Sequence, residues 1–98
     1  MGRYLVLWEI DSSRSPVNAK EMAAGWSLLT EMVKQDLKSG ITKDHGAFVG
    51  EINGYSVLEG TEVEVTSTLA KYAPYVHFKL HAVVSVAQTS EILKKMSG

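Results

Sequence analysis

An Asn-Gly pair between two runs of strand-forming residues leaves a chain few options, and residues 47–60 (AFVGEINGYSVLEG) contain one. Asn-Gly is the dipeptide that best tolerates the positive φ angles of a two-residue hairpin turn. A turn centred on Asn53-Gly54 fixes the register. Ile52 then faces Tyr55, Gly50 faces Val57 and Phe48 faces Glu59, all on one side, with Val49 and Leu58 on the other. One carboxylate, Glu59, is left on a face that is otherwise aromatic and aliphatic.

The flanking sequence supplies the remaining elements. Residues 4–10 form a short apolar run that reads as a strand covered on both sides. Leu5 and Leu7 point one way, and Tyr4, Val6 and Trp8 the other. Residues 11–16 are polar and turn-rich, hence a loop. Asn18 with Glu21 three residues on has the pattern of a capping box, opening a helix to about Lys38 and Gly40. Met22, Trp26, Leu29, Val33 and Leu37 recur at helical spacing as its buried stripe, and Trp26 reads as core. Gly25 inside that helix costs about 1 kcal/mol relative to alanine, which a close approach of helix to sheet would explain.

After the hairpin, Thr61 and Glu64 make a second capping pattern. Val65, Leu69 and Tyr72 share one face of a helix over residues 62–72, stopped by Pro74. Residues 62–66 also alternate like a strand; Gly60 before them and the 3.6-residue period after them favour helix. Residues 75–84 are the longest strand signal, with Val76, Phe78 and Leu80 alternating with His77, Lys79 and His81. Ser85 and Gln88 cap a last short helix whose apolar edge is Ile92, Leu93 and Met96.

The order is β-α-β-β-α-β plus a terminal helix. This predicts an α+β, ferredoxin-like sandwich as a single domain over residues 1–98. Four antiparallel strands carry both main helices on one face and leave the other uncovered. With Leu5, Leu7, Val49, Leu58, Val76, Phe78 and Leu80 toward the helices, the open face carries Tyr4, Val6, Trp8, Phe48, Ile52, Tyr55, Val57 and Glu59, beside His77, Lys79 and His81. So large an aromatic patch is unusual on a monomer, and a homodimer packed sheet against sheet would hide it.

Several classes are excluded or disfavoured. With net charge −1 and dispersed Lys and Arg, no basic patch for nucleic acid is present. Residues 46–49 faintly echo an RNA-recognition motif but lack its leading basic residue. No apolar run approaches the roughly 20 residues of a membrane span, and the N-terminus lacks a signal-peptide pattern, so a cytoplasmic location is the default expectation. There is no cysteine, which removes disulfides, thiolate metal sites and Cys nucleophiles together.

The element order, the passage from the hairpin through Glu59-Gly-Thr-Glu62 into a helix, and the run KYAPYVHFKLHAVVSV over residues 71–86 resemble the dimeric α/β-barrel superfamily. That superfamily includes antibiotic-biosynthesis-type monooxygenases and muconolactone-isomerase-like enzymes. The resemblance spans nearly the whole chain and lies in pattern. It implies a β-sheet dimer with a pocket between sheet and helices or within the barrel. It transfers no catalytic residue.

The candidate chemistry is sparse. His77 and His81, four residues apart on one strand face, are separated by about 13 Å, too far to share one metal ion, and no metal or cofactor is implied. Glu59, among apolar neighbours, suits a general acid or base if desolvated; a pairing with Lys79 or a histidine would make it structural. Tyr4, Trp8, Phe48, Tyr55 and His81 are the candidates to line a site for a flat hydrophobic ligand. Because no convergent acid, base and nucleophile can be assembled, the favoured reading is a non-catalytic dimeric module that binds a ligand or protein. The alternative is a metal-free, monooxygenase- or isomerase-like enzyme on an aromatic substrate. Glu59 or His77 would be its base, and residues 11–17 its lid.

Overall fold

The computed structural model describes residues 2–98. It contains β1 (Gly2–Ile10), a 3-10 turn (Ser12–Arg14), α1 (Ala19–Ser39), β2 (Thr42–Ala47), β3 (Asn53–Gly60), α2 (Glu62–Ala70), β4 (Val76–Val83) and α3 (Val86–Ser97). The strands form one antiparallel sheet in the order β2-β3-β1-β4, consistent with a ferredoxin-like α+β fold. No helix among the described residues is long and apolar enough to cross a membrane.

Local chemistry explains the helix boundaries. Asn18 Oδ1 accepts the amides of Lys20 and Glu21 at the start of α1, and Gly40 closes it in the left-handed region. At α2 the box is reciprocal: Thr61 Oγ1 accepts from the Glu64 amide, and the Glu64 carboxylate accepts from the Thr61 amide at 2.9 Å. Ser85 and Gln88 repeat it at α3. The ambiguous residues 62–66 are helix because this cap holds, and because Val65 and Leu69, one turn apart, both enter the core.

The hairpin differs from its expected register. β3 already begins at Asn53, so Asn53-Gly54 lies in the strand and the chain reverses through residues 48–52. The Phe48 amide donates to the Asn53 carbonyl at 2.9 Å, the Glu51 amide to the Phe48 carbonyl at 3.1 Å, and Gly50 takes φ +77°. Asp44, His45, Gly46 and Ala47 therefore face Val57, Ser56, Tyr55 and Gly54, with an irregularity between Thr42 and Asp44. Phe48, Val49 and Ile52 belong to the turn, and Val49 is fully exposed. The cause is tertiary. A Cβ at Gly54 would lie 2.1 Å from the Gly46 carbonyl oxygen and 2.5 Å from the Trp8 ring, so this glycine is there to let an indole cross the strand.

The faces of β1 are also reversed. Tyr4, Val6 and Trp8 look toward the helices, and Leu5 and Leu7 lie on the open face. Cross-strand pairing sets this, since Val6 sits beside Ser56 and Leu80, and Trp8 beside Gly54 and Phe78. Both faces of β1 are apolar, so alternation alone carried no sign. Val6, Leu58, Val65 and Leu69 form the buried cluster, with Tyr4 and Phe78 against it. Tyr55, Val57, Glu59, His77, Lys79 and His81 share the open face with Leu5 and Leu7.

The helices cover the sheet loosely. Asp36 is the only buried residue of α1, and the stripe meant for burial is half-exposed because a cavity separates it from the sheet. A Cβ at Gly25 would meet nothing within 4 Å, so no close helix–sheet approach explains that glycine. α3 buries no residue. The radius of gyration, 16.2 Å, exceeds the roughly 13 Å of a compact domain this size, and the long dimension reaches 61 Å.

Candidate functional site

The space between the sheet and α1 is a cavity of about 350 Å³. Trp8, Ile10 and Phe78 come from the sheet, Trp26, Leu29 and Val33 from the helix, so the walls are mostly hydrocarbon and ring. Both tryptophans of the chain line it. Besides Glu51 and three threonines, two hydrogen-bonded clusters interrupt the apolar wall.

The first is built on β2 and β3. The His45 ring stacks on the Trp8 indole with centroids 5.3 Å apart and planes parallel. Trp8 is locked in turn, its Nε1 donating to the Tyr55 carbonyl at 3.1 Å. Ser56, paired with His45 across the strands, places Oγ 2.6 Å from His45 Nδ1. The hydroxyl donates there when the ring carries its proton on Nε2. Burial pushes the imidazole below its ordinary value, only partly opposed by the neighbouring Asp44 carboxylate, which favours the neutral ring. A neutral, oriented imidazole beside a buried hydroxyl can accept a proton or fix a hydrogen-bonding group of a ligand.

The second joins α1 to the turn after α2. Asp36, 6% exposed, accepts from Tyr72 Oη on one oxygen and from Lys71 Nζ on the other, each at 2.5 Å. Burial first, and then this carboxylate, pushes the Tyr72 hydroxyl above its ordinary value. Tyr72 also meets Phe78 edge-on at 6.1 Å, tying the polar group to the apolar wall.

The residues singled out from sequence are distributed differently. Trp8 lines the cavity, and Tyr4 packs against the core cluster, whose Leu58 and Leu69 are part of the cavity wall. Phe48, in the turn, stacks on Tyr55 at 6.4 Å, and Tyr55 donates through its hydroxyl to Asp44 at 2.9 Å on the open face. Glu59 lies 3.7 Å from Arg3. His77 Nε2 sits 3.0 Å from Asp11 Oδ2, where Ser13 and then His77 hold the Asp11 carboxyl below its usual range. His81 is exposed on the same face. Glu59, His77 and His81 do not line the cavity. Among the described residues, no three His, Asp, Glu or Cys side chains are grouped to hold a metal ion.

Sequence reasoning treats His45 only as a possible companion of His77 or His81, with nothing in the spacing requiring it, and misses Ser56 and Asp36 as site residues. Asp36 left a trace: it lies three residues after Val33 and seven after Leu29, inside the apolar stripe, where an acid needs a partner. His45 and Ser56 become neighbours only when the turn is placed at Gly50.

Comparison of the sequence with protein-family models and with curated proteins finds no match.

Proposed function

We propose that this chain is a homodimeric module that binds a flat, largely apolar small molecule in the cavity between sheet and α1. One observation carries the reading: an aromatic-lined space of about 350 Å³ with two pre-formed polar groups in its wall, His45–Ser56 and Asp36–Tyr72, the latter braced from outside the cavity by Lys71. A cavity of about 150 Å³ takes one benzene ring, so this one suits roughly two fused rings with a hydrogen-bonding substituent. The dimer rests on the uncovered sheet face, whose centre is Leu5, Leu7 and Val57. That is the pairing the resemblance to dimeric α/β barrels implies.

The test is titration with 2-naphthol, followed through quenching of Trp8 and Trp26. Saturable quenching that Val33→Trp abolishes by filling the space supports the reading. Non-saturating quenching, or binding unchanged by Val33→Trp, sinks it. Light scattering at micromolar concentration checks the dimer; a clean monomer refutes that half.

One observation favours a second reading, proton transfer. Burial lowers the His45 pKa, favouring its neutral form, and the ring is stacked in place and hydrogen-bonded to a buried hydroxyl, the arrangement suited to a general base. In this reading, exchange of the acidic C–H of β-tetralone in deuterated buffer is accelerated. His45→Gln abolishes the acceleration, while Glu59→Gln and His77→Gln, altered on the opposite face, retain it. Exchange at the buffer rate leaves binding alone.

A further inference from the structure

The open sheet face has a pattern that selects how two copies meet. Cross-strand pairing arranges it in rows: Asp44–Val57–Leu5–His81, then Gly46–Tyr55–Leu7–Lys79, with Glu59–Arg3–Val83 beyond. The middle of each of the first two rows is apolar or aromatic. The β2 end carries Asp44, held in place by the Tyr55 hydroxyl and the His45 amide at 2.9 Å each. The β4 end carries Lys79 and His81. Among the described residues, neither Asp44 nor Lys79 has an ion-pair partner within its own chain.

Resting on the homodimer reading above, we propose that two copies oppose these faces about a two-fold axis parallel to the strands, so that β4 of each lies over β2 of the other. Such an axis keeps each row facing its own copy and reverses it end for end. His81 then lies over Asp44 of the partner subunit, Arg3 over Glu59 of the partner subunit, and Leu5 over Val57 of the partner subunit. Every contact is made twice by symmetry. The competing axis, perpendicular to the strands, sets β4 against β4. It places Lys79 over His81 of the partner subunit and leaves Asp44 over Gly46 of the partner subunit. The proposed axis sets Lys79 over that glycine, so what separates the two is whether His81 meets a carboxylate or an ammonium. It offers Arg3 a carboxylate as well, in Glu9 of the partner subunit, so the discrimination comes from the two sheet edges. Complementary edges set register and exclude the wrong pairing.

The absence of cysteine makes the test clean. Facing sheets lie about 10 Å apart, while β2 and β4 of one sheet are three strand spacings, about 14 Å, apart. Asp44→Cys and His81→Cys chains are mixed, equilibrated and treated with a short bis-maleimide; Lys79→Cys and His81→Cys chains are mixed likewise. A covalent dimer from the first mixture and none from the second is the expected result. The reverse overturns the orientation and leaves the dimer standing. Failure of both mixtures in a chain that light scattering shows dimeric means another surface pairs, and a monomeric wild type overturns dimer and orientation together. Charge reversal is the second measurement. His81→Glu, at an exposed position, weakens the dimer about tenfold, and adding Asp44→Lys restores it. No restoration overturns the proposed pairing.

Discussion

The Asp36–Tyr72–Lys71 group makes a quantitative claim about which of its two hydrogen bonds matters. Both are short, but their surroundings differ: the Asp36 side chain is 8% exposed and that of Lys71 is 46% exposed. A half-exposed ammonium keeps much of its hydration, so its pairing contributes roughly 0–1 kcal/mol. The Tyr72 hydroxyl donates to a charged acceptor in a buried site, worth roughly 1.5–3 kcal/mol. Tyr72→Phe should therefore lower the unfolding free energy more than Lys71→Met, by a clear margin. Paired with Asp36→Ala in double-mutant cycles, the coupling to Tyr72 should exceed the coupling to Lys71. Urea titration at one fixed protein concentration provides the assay, because the proposed dimerisation would make stability depend on concentration. Alkaline pH gives an independent check. The folded state keeps the Tyr72 proton that an unfolded tyrosine releases near pH 10, so above about pH 10 the unfolded chain holds fewer protons. Stability then falls as pH rises, by up to about 1.4 kcal/mol per pH unit for one group. Tyr72→Phe should remove that part of the slope. Tyr55, raised by its hydrogen bond to Asp44, retains its own contribution. Equal losses from Lys71→Met and Tyr72→Phe, or an unchanged alkaline slope, would refute the reasoning.

Other substitutions separate local from tertiary effects. Gly54→Ala cannot be relieved by a side chain moving, because the nearest obstacle is a carbonyl oxygen at 2.1 Å; it should cost about 1–3 kcal/mol or more and disturb Trp8 fluorescence. Gly50→Ala has free space around it and bears only the penalty of its positive φ, about 1–2 kcal/mol, with Trp8 fluorescence unchanged. Gly25→Ala, in open space within α1, should stabilise by roughly 0.5–1 kcal/mol, seen as a raised Tm. Thr61→Ala and Ser85→Ala delete the same capping motif at α2 and α3, each costing about 1 kcal/mol locally. The first should lower Tm by about 4–8 °C because α2 carries Val65 and Leu69, and the second should leave Tm in place and trim only far-UV helicity.

Element order, helix caps and the faces of β3 and β4 were legible because each rests on local chemistry: Thr61 with Glu64, Ser85 with Gln88, Gly40, and the polar–apolar alternation of residues 76–81. A pocket between sheet and helices was expected from resemblance alone, but its His45–Ser56 lining was not legible, and one residue accounts for most of the gap. Strand β1 is apolar on both sides, so nothing local says whether Trp8 or Leu7 turns toward the helices. Once Trp8 turns inward it must cross β3, and only a residue without a side chain can lie beneath it. That requirement places Gly54 in the strand and moves the turn to Gly50. The shifted turn brings His45 opposite Ser56 and onto the indole. The Asn-Gly signal was thus a correct reading of backbone preference, outweighed by a contact 46 residues away in the chain. The same reversal that hid His45–Ser56 from the sequence also moved the aromatic side chains of β1 off the open face. What remains there, Leu5, Leu7, Tyr55 and Val57 between Asp44 on one edge and Lys79 and His81 on the other, is a smaller apolar surface than expected, and in the proposed dimer it leaves orientation to be set by charge.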